Sequence, residues 1–150
     1  MIDLRAATMQ DADRLFAWRN DPVTLACSKS TAPVPRSDHD QWMTLNVLYG
    51  YPEHIVLMAQ DRDVAVGVVR FDAMKSDVMQ YKASLTIAPQ HRGNGYSYPI
   101  LAEACSYMTD YTIHADIRKD NAASRKTFER CGFRETGSDH DFVFYRKPAQ

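Results

Sequence analysis

The sequence predicts a single α/β domain in which a mixed, mostly antiparallel sheet of about seven strands is flanked by about four helices. Three observations carry that expectation. Segments of strand and helix character follow one another in the order β-α-α-β-β-β-α-β-α-β-β. No Ser/Gly/Pro linker, internal repeat or low-complexity tract divides the 150 residues, so residues 1–150 read as one domain. One apolar strand also runs through a glycine turn directly into an amphipathic helix.

From the N-terminus, Ile2 to Ala6 is a short strand, and Thr8 and Asp11 stand at the spacing of a capping box. They open a helix carrying Ala12, Leu15, Phe16 and Arg19, which WRNDP at Trp18 to Pro22 ends because a residue before proline disfavours helical backbone. A polar loop with Pro33 and Pro35 follows. Ser37 and Asp40 repeat the cap signal ahead of a helix through Trp42, Leu45 and Leu48, stopped by Tyr49, Gly50, Tyr51 and Pro52. Ile55 to Gln60 and Val64 to Phe71, joined by Asp61, Arg62 and Asp63, predict an antiparallel hairpin, and Met79 to Ala88 adds a third strand closed by Pro89. A helix from about Gly95 to Met108 places Ile100, Leu101, Ala104, Cys105 and Met108 on one face. A strand at Thr112 to Ile117, a helix from about Ala122 to Cys131 and short strands near Phe133 and at Phe142 to Arg146 complete the order.

Composition excludes several classes of function. Lys and Arg number 18 against 19 Asp and Glu, a net charge of −1, which argues against nucleic-acid binding driven by bulk charge. Cys27, Cys105 and Cys131 are an odd number at wide spacings without a CxxC pair, as expected of reduced thiols in a cytoplasmic protein. The N-terminus is charged from its third residue and no apolar run approaches the roughly 18 residues of a membrane span. Neither a membrane nor a metal is expected as a partner.

The most informative segment is SLTIAPQHRGNGYSYPIL, Ser84 to Leu101. At a strand, glycine turn and helix junction, successive backbone N–H groups and the first unsatisfied N–H groups of the helix converge, and the helix dipole adds positive charge. Such a junction holds a phosphate or pyrophosphate, with glycine at 93 and 95 allowing close approach. A Walker A loop is excluded because Tyr96 follows Gly95, and a dinucleotide fingerprint is excluded because Tyr98 stands where a third glycine belongs. A plain glycine-capped turn remains the competing reading. Downstream, Asn121 and Ser124 open a helix that carries Phe128 and ends at Gly132-Phe133.

On these two segments the chain resembles the GCN5-related N-acetyltransferases, the GNAT family, over nearly its whole length. The family's acetyl-CoA loop, Arg/Gln-x-x-Gly-x-Gly/Ala, matches Arg92, Gly95 and Ser97 when counted from Pro89, Ser97 being a departure. The alternative register, Gln90, Gly93 and Gly95, lies too close to Pro89. The family's later motif matches Asn121, Ser124, Phe128, Gly132 and Phe133. The resemblance implies acetyl-CoA as acyl donor and no metal. It implies that the strand ending at Ala88 splays from its neighbour, so that the backbone of Leu85, Thr86 and Ile87 receives the pantetheine arm. Arg92, Gly93, Asn94, Gly95, Tyr96 and Ser97 would then hold the pyrophosphate, with Asn121, Ser124 and Phe128 completing the cofactor site.

Acetyl transfer needs a neutral amine and a proton for the departing thiolate. An amine with a pKa of about 10.4 is neutral in about one molecule in two thousand at pH 7, whereas one near 8 needs far less help. Family members commonly carry a tyrosine acid where Phe128 stands and a glutamate base where Lys82 stands. No catalytic residue is therefore assigned. Tyr81, Ser84, His39, Tyr96 or a water chain substitutes, or positioning suffices for a weakly basic amine. WRND and His39-x-x-Trp42 resemble the branch of the family that acetylates nucleotide-linked amino sugars in pseudaminic-acid-type pathways. Arg19, Asn20, His39 and Trp42 are the matching candidates for acceptor binding. The expected partner is thus a small-molecule amine such as a nucleotide sugar, acting on a monomer or homodimer. The alternatives are a ribosomal-protein type N-terminal acetyltransferase and a non-catalytic acyl-CoA-binding module.

Overall fold

A computed structural model describes residues 1–75 and 80–150 in full and the backbone of residues 77–79. Strand β1 (Ile2–Ala6) is followed by helices α1 (Ala12–Arg19), α2 (Pro22–Cys27) and α3 (Arg36–Met43), then by strands β2 (His54–Asp61), β3 (Val64–Met74) and β4 (Asp77–Ile87). Helix α4 (Ser97–Ser106), strand β5 (Thr112–Arg118), helix α5 (Ala122–Arg130) and strands β6 (Arg134–Ser138) and β7 (Phe142–Lys147) complete the chain. The strands form one seven-stranded sheet in the order β1-β2-β3-β4-β5-β7-β6. Every neighbouring pair is antiparallel except β4 with β5.

The predicted α/β class and seven strands are present, with five helices where about four were expected. The extra helix is α2. Pro22 ends α1 and also serves as the first residue of α2, where its missing N–H costs nothing, while the Asp21 carboxylate accepts from the backbone N–H groups of Val23 and Thr24. The expected Ser37/Asp40 cap is not used. Helix α3 begins at Arg36 behind Pro35, and Asp40 instead takes a hydrogen bond from Arg36 Nε at 2.9 Å. A π-helical turn, Thr44–Leu48, extends α3 toward β2. At the β2–β3 hairpin Arg62 and Asp63 have φ of 52° and 67°, the conformation that lets a two-residue turn match strand twist.

Alternation along the strands divides the interior into two cores. Val69, Phe71, Tyr81, Ala83, Ile113, Ala115 and Ile117 point to the face covered by α4 and α5, meeting Ile100, Leu101, Phe128 and Phe133. Val56, Met58 and Val68 point the other way, against Leu15 and Trp18 of α1 and Met43 of α3. The second face also carries Arg70, Lys82, Ser84, His114 and Asp116, since β3 and β4 pair Arg70 with Ser84 and Asp72 with Lys82. At the α1 entrance the Thr8–Asp11 capping box is formed. The buried Asp11 carboxylate accepts from Thr8 N, from both terminal nitrogens of Arg5 at 2.8 Å, and from Arg14 at 3.0 Å. These donors, Arg5 foremost, outweigh burial and hold Asp11 below the usual carboxylate range.

Candidate active site

The parallel pair β4–β5 is joined at only three positions, Gln80–Lys82 against Thr112–His114. Beyond them β5 continues with β7, pairing Ala115 with Tyr145 and Ile117 with Val143, while β4 continues with β3, pairing Leu85 with Val69, Thr86 with Val68 and Ile87 with Gly67. The two strands therefore part, and the β5-facing backbone edge of Ala83 to Ile87 pairs with no strand among the described residues. An extended polar arm can add to such an edge by main-chain hydrogen bonds.

Following β4 leads through Pro89 to the glycine turn. Gly93 and Gly95 have φ of +81° and +76°, a backbone region in which a side chain is strained, and a Cβ at either would meet no atom within 4 Å. The turn thus faces open space, not a packed neighbour. Helix α4 starts at Ser97 with no side-chain cap; Pro99 has no N–H and Ile100 N bonds Tyr96 O, so the backbone N–H groups of Ser97 and Tyr98 are those the helix leaves unmet. Asn94 braces the turn by donating to His91 O at 3.2 Å, and Tyr96 donates to Asp61 at 2.8 Å. That bond to Asp61 raises the Tyr96 pKa and turns its hydroxyl away from the opening between the strands.

Two of the expected cofactor residues have side chains already committed. Arg92 donates from Nη2 to Asp21 at 2.8 Å and to Thr24 Oγ1 at 3.0 Å, tying the turn to α2. Although burial opposes it, that pairing holds Asp21 below the usual carboxylate range. Phe128 is buried in the α4–α5 core, its ring 4.9 Å from that of Phe133, and acts as packing, not as a wall of the opening. Asn121 caps α5 by accepting from Ser124 N at 3.2 Å.

At the mouth where the strands part, the Asp116 carboxylate on β5 takes hydrogen bonds from Lys82 at 2.9 Å across the opening and from Lys29, in the α2–α3 connection, at 2.6 Å. Burial works against its charge, but the two lysines prevail and hold its pKa below the ordinary value. His114 touches Gln80 Oε1 at 2.6 Å, and burial with Arg146 and Lys82 nearby lowers its pKa. Of the four residues offered as substitute acids or bases, Ser84 lies two residues beyond Lys82 on the same sheet face, its Oγ accepting from Arg70 Nη2 at 3.4 Å. Tyr81 points into the opposite core and donates to Pro52 O at 3.0 Å, and its pKa is raised by burial. His39 is sandwiched between Phe16 and Trp42, with ring centroids 5.3 and 5.6 Å away.

The acceptor candidates divide as well. Asn20 is a staple: its amide donates to Phe16 O and Val34 O and accepts from Val34 N at 2.6 Å, so both donors are used and only a second lone pair on Oδ1 is left. His39 stacks on Trp42, and Arg70 joins them, its guanidinium carbon 5.5 Å from the Trp42 ring and its Nη2 3.4 Å from Ser84 Oγ; Arg19 lies near enough for its charge to act on both His39 and Arg70. Arg19 Nη1 and His39 Nδ1 are buried without a hydrogen-bond partner among the described residues. Burial, then the charge of Arg70, lowers the Arg19 pKa; burial, then Arg36, lowers that of His39. Asp116, Lys29 and Arg70 were not anticipated from sequence. The signal available was the alternation His114, Asp116, Arg118 opposite Ile113, Ala115, Ile117 in one strand.

No group of three or more potential metal ligands occurs among the described residues, and no described helix is long and apolar enough to cross a membrane. Residues 2–134 match the family model described as acetyltransferase (GNAT) domain. No curated protein matches the chain. Among solved structures, a protein provisionally assigned as a phosphinothricin N-acetyltransferase is 20% identical, with a TM-score of 0.84 over 100% of this chain and 99% of that one. The aminoglycoside acetyltransferase AAC(6')-Ib in complex with coenzyme A is 14% identical, with a TM-score of 0.82 over 99% and 95%. Spermidine N-acetyltransferase from Vibrio cholerae, in complex with CoA and spermine, is 16% identical, with a TM-score of 0.82 over 97% and 92%. At these identities the likeness is one of fold.

Proposed function

The chain belongs to the GNAT acetyltransferase domain family, and on that premise we propose that it transfers the acetyl group of acetyl-CoA to a primary amine of a small molecule. The acceptor proposed within that class is the amino group of a nucleotide-linked amino sugar. The observation that carries the reading is the parting of β4 from β5 after Lys82–His114, with the open glycine turn and the uncapped start of α4 at the far end of the same strand. A thioester donor supplies an activated acyl group. The chain supplies the free edge of Leu85, Thr86 and Ile87 for the amide arm, and backbone N–H groups from Gly93 to Ser97 for the pyrophosphate. Asn94 and Tyr96 brace that turn, Arg92 anchors it to α2, and Asn121 and Ser124 at the start of α5 are proposed to complete the cofactor site.

At the reacting end Ser84 of β4 and Asp116 of β5 stand on the same face of the sheet. The Asp116 carboxylate attracts an incoming ammonium in competition with Lys29 and Lys82, and so orients it. Its lowered pKa makes it a poor proton acceptor, which favours an amine of low basicity whose proton leaves through water. Lys82 places positive charge where negative charge builds as the carbon–sulfur bond breaks.

Thiol release from acetyl-CoA, measured over amino-sugar nucleotides, peptides and polyamines, tests the reading. Turnover of amino-sugar nucleotides above that of a glycine-turn variant is expected. Turnover of peptides alone would select the protein N-terminal reading, and no turnover with any amine would leave a binding module.

A further inference from the structure

We propose that the acceptor carries an anionic oxygen group, a carboxylate, phosphonate or phosphate, which binds between Arg19 and Arg70 beside Trp42 while its amine lies at Ser84 and Asp116. This rests on the acetyltransferase reading and narrows it to a substrate class.

The argument begins with charges left without partners. Arg19 ends α1 with a buried Nη1 that no described group accepts from. A permanently charged guanidinium is seldom buried without an acceptor, because its lost hydration is then uncompensated. Arg70 is close enough to disfavour the charge on Arg19. Its own contacts are loose, 3.7 Å to Asp72 Oδ2 and 3.4 Å to Ser84 Oγ, and Asp72 is held more tightly by His54 Nδ1 at 2.8 Å. Other carboxylates on this side are engaged elsewhere, Asp40 and Asp13 by Arg36 and Asp21 by Arg92. His39, 3% exposed, adds a second unpartnered polar atom, Nδ1, in the same cluster. A guanidinium with an unmet buried donor, near a second one whose 3.7 Å carboxylate contact is held more tightly by His54, forms a site that an anion completes and a polycation is repelled from.

Register then sets the distance. Val56, Arg70 and Ser84 lie in one row across the sheet, and the mouth holding Asp116 follows Ser84 in that direction. Adjacent strands are about 5 Å apart, so an anion at Arg70 stands roughly 5–10 Å from an amine at the mouth. That span fits a compact molecule carrying both groups. The half-buried Trp42 ring, next to Arg70, offers a flat apolar wall for the part between them.

Acetylation is measured with 2-aminoethylphosphonate, an amino acid and an amino-sugar nucleotide, against an uncharged amine and spermidine. The expected result is a kcat/KM at least 10-fold higher for one or more anionic amines than for the uncharged one, with spermidine lowest. Arg19→Met should raise KM for the preferred anionic amine at least 10-fold and reduce the preference below twofold. The three anionic arms identify which anion is the natural one. Equal rates across charge classes, or a preference that survives Arg19→Met, overturn the proposal. Binding is read separately by the thermal shift that inorganic phosphate produces with coenzyme A present: a shift in the parent protein that is lost in Arg19→Met supports the site, and equal shifts refute it. If Arg19→Met does not fold, Arg70→Gln is read in the same assays. If no amine is acetylated, the transferase reading fails while the phosphate shift still decides the anion site.

Discussion

The two ends of helix α1 treat buried charge in opposite ways. At its entrance the Asp11 carboxylate is 2% exposed and takes hydrogen bonds from Arg5, Arg14 and Thr8 N. At its exit Arg19 has a buried guanidinium nitrogen with no acceptor among the described residues, and the nearby Arg70 carries the same charge. A closed cluster returns most of what desolvation costs, and so serves the fold. An open one leaves that cost standing, roughly 1–3 kcal/mol for an unmet donor and more for a charged one, which a fold retains where a ligand completes the group. The difference separates residues that hold the molecule together from those free to bind.

Breaking the closed end should have the largest effect. Asp11→Ala removes the partner of Arg5 and Arg14 and the acceptor of Thr8 N; because the two arginines are 36% and 45% exposed and are rehydrated, the expected loss is about 2–4 kcal/mol in denaturant unfolding, or roughly 4–16 °C in Tm for a domain of this size. The pH dependence has a defined sign. Asp11 ionises below its unfolded value of about 3.9, so its stabilisation is fully present above about pH 5 and is lost as pH falls from there through the folded pKa. The gap between parent and variant should be constant from pH 5 to 8 and shrink below pH 4. A gap that widens in acid would contradict the assignment.

The glycine turn belongs with the open end, and its variant should damage binding more than folding. At φ of +76°, the Cβ of Gly95→Glu meets no atom within 4 Å, so the expected stability cost is chiefly that of the left-handed backbone, about 1–2 kcal/mol. The new carboxylate stands where backbone N–H groups and the helix dipole await a pyrophosphate. Calorimetry should show acetyl-CoA affinity reduced about 100-fold or more, which is about 2.7 kcal/mol, with cooperative unfolding retained. Unchanged affinity would sink the turn as the cofactor site.

What was legible in the sequence follows the same division. Gly93, Gly95, the Thr8–Asp11 box and the Asn121 cap are local devices, each set within a few residues, and they were readable as residue patterns. The α2 helix was missed because Pro22 signals both a stop and a start, and only packing chooses. The charged mouth was not readable because its partners lie far apart in the chain: Lys29 reaches Asp116 across 87 residues, Lys82 across 34. Arg92 read as a phosphate ligand because it adjoins the turn, yet Asp21, 71 residues away, claims it. Asn20 and Asn121 show that one residue type carries no fixed meaning, since the first spends both amide donors on α1 and the α2–α3 connection.

Asn121 stands between the closed and open cases, and its two variants sharpen the boundary with the smallest effects. Its Oδ1 accepts from Ser124 N at the start of α5, a fold-directed use, while its amide nitrogen has no hydrogen bond to any described residue. Asn121→Ala removes both groups and should cost about 1 kcal/mol of stability, the usual worth of a side-chain cap. Asn121→Asp keeps the capping oxygen and places its charge favourably at a helix N-terminus, so stability should match the parent within a few tenths of a kcal/mol. The donor is nevertheless gone and a negative charge has appeared beside the opening. If the amide nitrogen serves a bound ligand, KM for acetyl-CoA should rise severalfold in both variants, although only the alanine protein is less stable. If the residue is a cap and nothing more, the aspartate protein should equal the parent in both measurements, and Asn121 joins Asp11 among the groups the fold has closed.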